Sequence, residues 1–183
     1  MGTRNVIAVF MDGEYKVAQY SQLDGYPEGQ GMSVLKFLKE EFVEHKFRTN
    51  LKNLKMVSTD EEWKALNTLY RDNLPHEFDR DTGSKILKLI QNGEVKSGFL
   101  VNKIGFVSQG DCEWVWLIDL DTRTFEAYKG WNKEPLTPFD RFYFLGNYQD
   151  GDYCPAKCVH KWLLSDLPSE KDFLSAFEKD EEE

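Results

Sequence analysis

The sequence predicts an α+β fold, and three features of its hydrophobic patterning predict it. Residues 5–20 hold two apolar or alternating runs joined by Asp12-Gly13, the strongest short-range hairpin signal. Residues 34–91 then place apolar side chains at helical spacing in three segments. From residue 97 the period falls to two as far as 164, before one last helical segment. That order suits a mostly antiparallel sheet packed with helices. Two architectures satisfy it: an αββα sandwich of two sheets, and a single sheet with helices on one face.

Asn5–Met11 is almost wholly apolar, as in a strand covered on both faces. Glu14–Tyr20 alternates, with Tyr15, Val17 and Gln19 on one side and Lys16, Ala18 and Tyr20 on the other. A loop from Ser21 to Gly31 follows, stiffened by Pro27. Ser33 is placed to cap a helix over Val34–Lys46, whose stripe is Leu35, Leu38, Phe42 and His45. Histidine on such a stripe reads as structural. Residues 47–57 read as a helix end and a connection. Thr59 and Glu62 have capping-box spacing at the start of a helix running to Arg71. Pro75 breaks the chain, and Ser84–Gln91 forms a helix ended by Asn92-Gly93.

Short strands are expected at Ser97–Asn102 and Ile104–Ser108. Cys112–Leu120 is apolar on both faces, so it should be the central strand, with Trp114, Trp116, Ile118 and Leu120 on one side. A turn at Asp121-Thr122-Arg123 joins it to Thr124–Tyr128. Residues 130–140 form a loop, and Arg141–Leu145 and Cys154–Leu164 read as the last strands, separated by Gly146–Asp152. A helix over Glu170–Phe177 closes a single domain, residues 1–177, leaving residues 178–183 as an acidic flexible tail.

Composition narrows the function classes. The formal charge is −9 over 183 residues, with seven acids against two lysines in residues 170–183 alone. No basic stripe matches a phosphate backbone, so direct nucleic-acid binding is not expected. No apolar run approaches the roughly 18 residues of a membrane span. Cys112, Cys154 and Cys158 read as reduced thiols, and the chain as cytoplasmic.

The candidate ligand site is the N-terminal segment with its glycine-rich loop: Thr3, Arg4, Gln19, Gln22, Asp24, Gly25, Tyr26, Gly29 and Gly31. Glycines allow close backbone approach, and a helix N-terminus offers unpaired N–H groups to an anion. The competing reading is a loop packed on the sheet through Tyr26 and Pro27. Glu77, Asp79 and Asp81, or Asp119 and Asp121, have the oxygen chemistry for a divalent cation. Capping and turn roles explain both sets more simply, so neither a metal nor a cofactor is expected. No Ser-His-Asp, zincin or Walker pattern is present.

Gly2-Thr3-Arg4-Asn5, Tyr15-Lys16-Val17-Ala18-Gln19-Tyr20 and the run from Gln22 to Gly31 resemble an uncharacterised family whose members start Gly-Thr-Arg. That family occurs in phages, prophage-bearing bacteria and fungi; Cys112–Lys129 resembles its second signature. The opening Thr-Arg strand and hairpin also resemble N-terminal-nucleophile hydrolases of the bile-salt-hydrolase type. That second resemblance implies a fold but not the chemistry, because removal of Met1 exposes Gly2, which has no nucleophile. The first expectation is therefore a non-enzymatic binding protein, a phage-type accessory or counter-defence factor. Its target is a host or defence protein, or a small anionic ligand. A hydrolase-like enzyme using the N-terminal hairpin and the loop is the second reading, and an acidic nucleic-acid mimic the third.

Overall fold

The computed structural model describes residues 2–57, 59–71, 73, 75–147 and 152–178. Strands β1 (Asn5–Met11) and β2 (Glu14–Ser21) form the expected hairpin. Asp12 and Gly13 both take positive φ, 56° and 79°, the twist that a two-residue turn needs between right-twisted strands. The carboxylate of Asp121 receives both turn amides, Asp12 N and Gly13 N, at 2.9 Å each. A bulge between Val9 and Phe10 shifts the register, so Val17 pairs with Val9 while Tyr15 pairs with Phe10. Tyr15 therefore turns to the face opposite Val17, against the simple alternation.

The main sheet runs β2-β1-β5-β6-β7, with β5 (Trp114–Asp119), β6 (Thr124–Lys129) and β7 (Lys157–Leu163). β5 is central, as its two apolar faces require. The β1–β5 pair is parallel and the others are antiparallel. A separate ladder of two residues joins β3 (Lys55–Met56) to β4 (Phe99–Leu100). Among the described residues the fold is thus α+β with one large sheet, not two stacked sheets.

One face of the sheet is covered by helices. Ile7, Val9, Met11, Val17, Trp116, Ile118, Phe125 and Ala127 pack there against helical segments. Those segments are α1 (Met32–Lys36) with wide π-type turns at either end, α2 (Glu44–Lys52), α4 (Lys85–Asn92) and α5 (Glu170–Glu178). α3 (Asp60–Tyr70) starts with the expected capping box: Glu62 N donates to Thr59 Oγ1 at 3.1 Å, and Thr59 N to Glu62 Oε2 at 3.2 Å. The opposite face carries a second core of Val6, Ala8, Ala18, Val115, Leu117 and Tyr128, covered by Val107, Leu136 and Phe142 from irregular chain.

Four expectations change. The helix over 34–46 is broken at Phe42, whose backbone is extended, so His45 falls in the first turn of α2 as an exposed residue and lies on no buried stripe. The helical stretch begins at Pro27 instead of at a Ser33 cap; Ser33 Oγ donates to Gly29 O at 3.0 Å. Ile104–Ser108 and Tyr143–Leu145 are 3-10 turns instead of strands. Their apolar pairs, Ile104 with Val107 and Phe142 with Leu145, lie three apart, the repeat of a 3-10 turn, and all four pack on the second core. The Ser97–Asn102 strand shrinks to Phe99–Leu100. The acidic tail expected at 178–183 falls outside the described residues after Glu178.

Candidate functional site

The glycine-rich loop packs down on the sheet. Gly25 N donates to Thr3 O at 3.0 Å and Gln30 N to Asp24 O at 2.7 Å, while Gly29 N and Gly31 N both turn to Tyr26 O. These amides are taken, so they do not form the anion receptor expected of them. Gly25 O accepts from Trp116 Nε1 at 2.8 Å. A Cβ on Gly31 would lie 2.6 Å from the Trp116 ring, and one on Gly29 would lie 2.1 Å from Asp24 O. The glycines let the chain approach protein instead of ligand.

The other residues of that set scatter. Arg4 pairs with Asp111 at 2.9 Å, and its backbone N–H reaches Glu113. Gln19 is buried and donates to Asp79 O at 3.0 Å; Gln22 donates to Asp81 Oδ1 at 2.9 Å. Asp24 and Tyr26 line different hollows: Asp24 one of about 630 Å³ with Lys36, Lys85 and Lys88, Tyr26 one of about 180 Å³ beside Trp114. Glu77 is buried and accepts from Ser97 N, Asp79 accepts the Asp81 amide in a local turn, and Asp81 accepts from Gln22. Among the described residues no cluster of His, Cys, Asp or Glu has a metal-holding arrangement.

A different group of residues converges. On the second-core face, β6 presents Thr124, Glu126 and Tyr128 at period two, and β5 ends in Asp119 beside Thr124. Arg141 reaches in from the loop that covers this face. It pairs with Asp119 through Nη2, and with Glu126 through Nε at 3.1 Å. Glu126, only 1% exposed, also accepts from Thr124 Oγ1 at 2.8 Å, from Tyr128 Oη and from Lys161 Nζ at 2.8 Å. Asp119 Oδ1 takes the amides of Asp121 and Thr122, both at 2.8 Å. Every oxygen of both carboxylates has a donor. The Arg141 guanidinium stacks 5.0 Å from the Phe10 ring centre.

Burial pushes the Glu126 carboxyl up, but the hydrogen bonds from Lys161 and Tyr128 and the charge of Arg141 outweigh it and hold it below the usual range. Burial likewise raises Asp119, and the Thr122 amide with Arg141 brings it below its ordinary value. Burial sends the Tyr15 hydroxyl up to about 12, and burial with the nearby Glu126 charge raises the Tyr128 hydroxyl and the Cys158 thiol. These groups hold charge and offer donors; none is tuned to move a proton near neutral pH.

Both carboxyls bind protons more weakly in the folded chain than in the unfolded one. Their contribution to stability is thus complete above the ordinary carboxylate range, about pH 4–4.5, and is lost as pH falls through their lowered folded values. Thermal midpoints should be flat from about pH 6 to 8 and drop steadily below about pH 5. Glu126→Gln should lower the midpoint at pH 7 and flatten that acid limb.

Above this network opens a cleft of about 550 Å³, lined among others by Phe10, Tyr15, Phe139, Arg141, Phe144 and Lys161. Phe139 is 99% exposed and Phe144 60%, so the lip is aromatic and uncovered. Phe144 lies 6.0 Å from the Tyr15 ring, which is itself edge-on to Phe10 at 5.1 Å. Asp140 is tied to Thr137 at 2.7 and 2.8 Å, fixing the turn that presents Phe139. Cys158 faces this cleft, whereas the His160 ring packs on Trp162 and Phe177 across the sheet, so they form no thiol–imidazole pair.

Comparison with known proteins gives no match: no family model, curated protein or solved structure is similar to the chain. No helix among the described residues is long and apolar enough to cross a membrane.

Sequence reading passed over Glu126 and Arg141. The available signal was the polar stripe Thr124, Glu126, Tyr128 on a strand otherwise destined for burial. A buried acid at period two requires a cation, and Arg141 is the arginine that follows the next loop.

Proposed function

We propose that this chain is a non-enzymatic binding protein that docks a partner protein on the aromatic-lipped cleft. The observation that carries this reading is Phe139, fully exposed at the rim, with Phe144 beside it and Arg141 and Lys161 at the base. Uncovered aromatics around an arginine are the composition of interface hot spots. The saturated Glu126–Arg141 network supports the reading too, because a rigid floor preorganises a contact surface without supplying a reacting group. A host or defence protein as target, and a phage-type accessory role, remain part of the proposal through the family resemblance.

A small anionic ligand in the Asp24 hollow is the weaker reading. Lys36 and Lys88 there already pair with Glu170 at 3.4 Å and Glu41 at 2.7 Å.

The test is a Phe139→Ser/Phe144→Ser double variant. Both side chains are exposed, so stability should move by no more than about 0.5 kcal/mol per site. A tagged wild-type chain should capture a specific protein from host lysate, and the variant should lose it. Equal capture by the variant would overturn the assignment of the cleft.

A further inference from the structure

We infer that the partner enters as an extended segment added to the free edge of β7, with a carboxylate placed against Lys161. The inference rests on the docking reading above and specifies its occupant.

The sheet has two edges, and they differ. The β2 edge is covered: Ala18 bridges to Asn102, and Lys103 N donates to Ala18 O at 3.0 Å. β7 pairs with β6 alone among the described strands. Leu164 N donates to Arg123 O at 2.9 Å, which fixes the phase of the β6–β7 ladder. Alternation then turns the backbone groups of Trp162 and His160 toward β6 and those of Lys161 and Leu163 outward. Leu163 O is used by Asp166 N at 3.0 Å. The N–H and C=O of Lys161 and the N–H of Leu163 meet no partner among the described residues. They are the groups that an added strand pairs with.

Side chains agree with this geometry. Cys158, Lys161 and Leu163 are the exposed residues of β7, on the face that holds the cleft. A strand laid along this edge extends that face beside Cys158 and Lys161, the β7 residues that line the cleft. Charge selects the occupant. Lys161 is 51% exposed while its partner Glu126 lies beneath the surface, so the surface presents the ammonium and not the carboxylate. β7 contains Lys157 and Lys161 and no acid; Lys157 is paired with Glu134 from the covering loop, so the charge preference rests on Lys161. A second copy of β7 brings another Lys161 and no acid to the seam, so it supplies no opposite charge. A segment with a carboxylate opposite Lys161 forms a cross-strand ion pair there instead.

The probe is a fluorescein-labelled peptide of alternating valine and threonine with one central glutamate, titrated against the full chain. Its controls carry lysine in place of the glutamate, or N-methyl groups along the pairing edge. The glutamate peptide should bind about fivefold more tightly than the lysine peptide. It should slow hydrogen exchange at the Lys161 and Leu163 amides specifically. Lys161→Ala should erase the charge preference, and Leu163→Pro, which removes an outward N–H that an edge strand can spare, should weaken both peptides. Equal binding of the two peptides, undiminished binding of the N-methylated one, protection centred elsewhere, or pairing of β7 with a second copy would each overturn the inference. If those outcomes appear while Phe139→Ser/Phe144→Ser still abolishes partner capture, the edge is wrong and the cleft stands.

Discussion

Arg141→Ala should lower the thermal midpoint at pH 7 by roughly 10 °C, the largest single effect expected outside the apolar core. Removing the guanidinium strands Asp119 and Glu126 in a face where their side chains are 2% and 1% exposed. Breaking a buried pair in this way costs about 3–5 kcal/mol, because each remaining carboxylate is left with fewer donors than it has in the unfolded chain. In a domain of this size each kcal/mol moves the midpoint by about 2–4 °C. Lys161 keeps part of the Glu126 charge compensated, which places the estimate at the lower end. The triple change Asp119→Ala/Glu126→Leu/Arg141→Met should lose less than Arg141→Ala alone, because it removes the charges together. Circular dichroism melts of the two variants decide the matter. A loss under about 1 kcal/mol for Arg141→Ala would show that water already reaches the network.

Trp116→Ala should cost about 3–5 kcal/mol. The indole is fully buried at the centre of the helix-covered face, stacked on Trp114 at 5.3 Å and surrounded by Phe125, Phe173 and Phe177 at 5.8–6.2 Å. It joins β5, α5 and the glycine-rich loop, which hangs on it through the bond from Nε1 to Gly25 O. Gly31→Ala tests the same joint from the other side. Alanine is the better helix former by about 1 kcal/mol, so propensity predicts stabilisation. The 2.6 Å approach of a Cβ to the indole predicts a loss of about 1–3 kcal/mol instead. Urea unfolding of the two variants measures both.

The fold was legible where local chemistry and burial agree. Asp12-Gly13, the Thr59–Glu62 box and the two apolar faces of β5 each need only neighbours in sequence. The errors arose where a distant contact decides. A bulge opposite Val9 and Phe10, with Lys16 as its extra residue, moved Tyr15 to the cleft face. Phe42 broke a helix whose apolar spacing ran on without interruption. Ile104–Ser108 and Tyr143–Leu145 are apolar enough for strands, but their spacing of three suits 3-10 turns over the second core. The same limit governs the site. Glycines signal close approach without naming what approaches, and here it is Trp116. Glu126 and Arg141 are 15 residues apart and meet only because the intervening loop folds back over β6.

Photo-crosslinking from the lip tests the central claim most directly. With p-benzoylphenylalanine in place of Phe139, irradiation in host lysate should give one discrete adduct. The same photoreactive residue in place of Leu23, exposed within the glycine-rich loop, should give none. A discrete adduct from position 23 with none from position 139 would contradict the account and return the binding site to the loop.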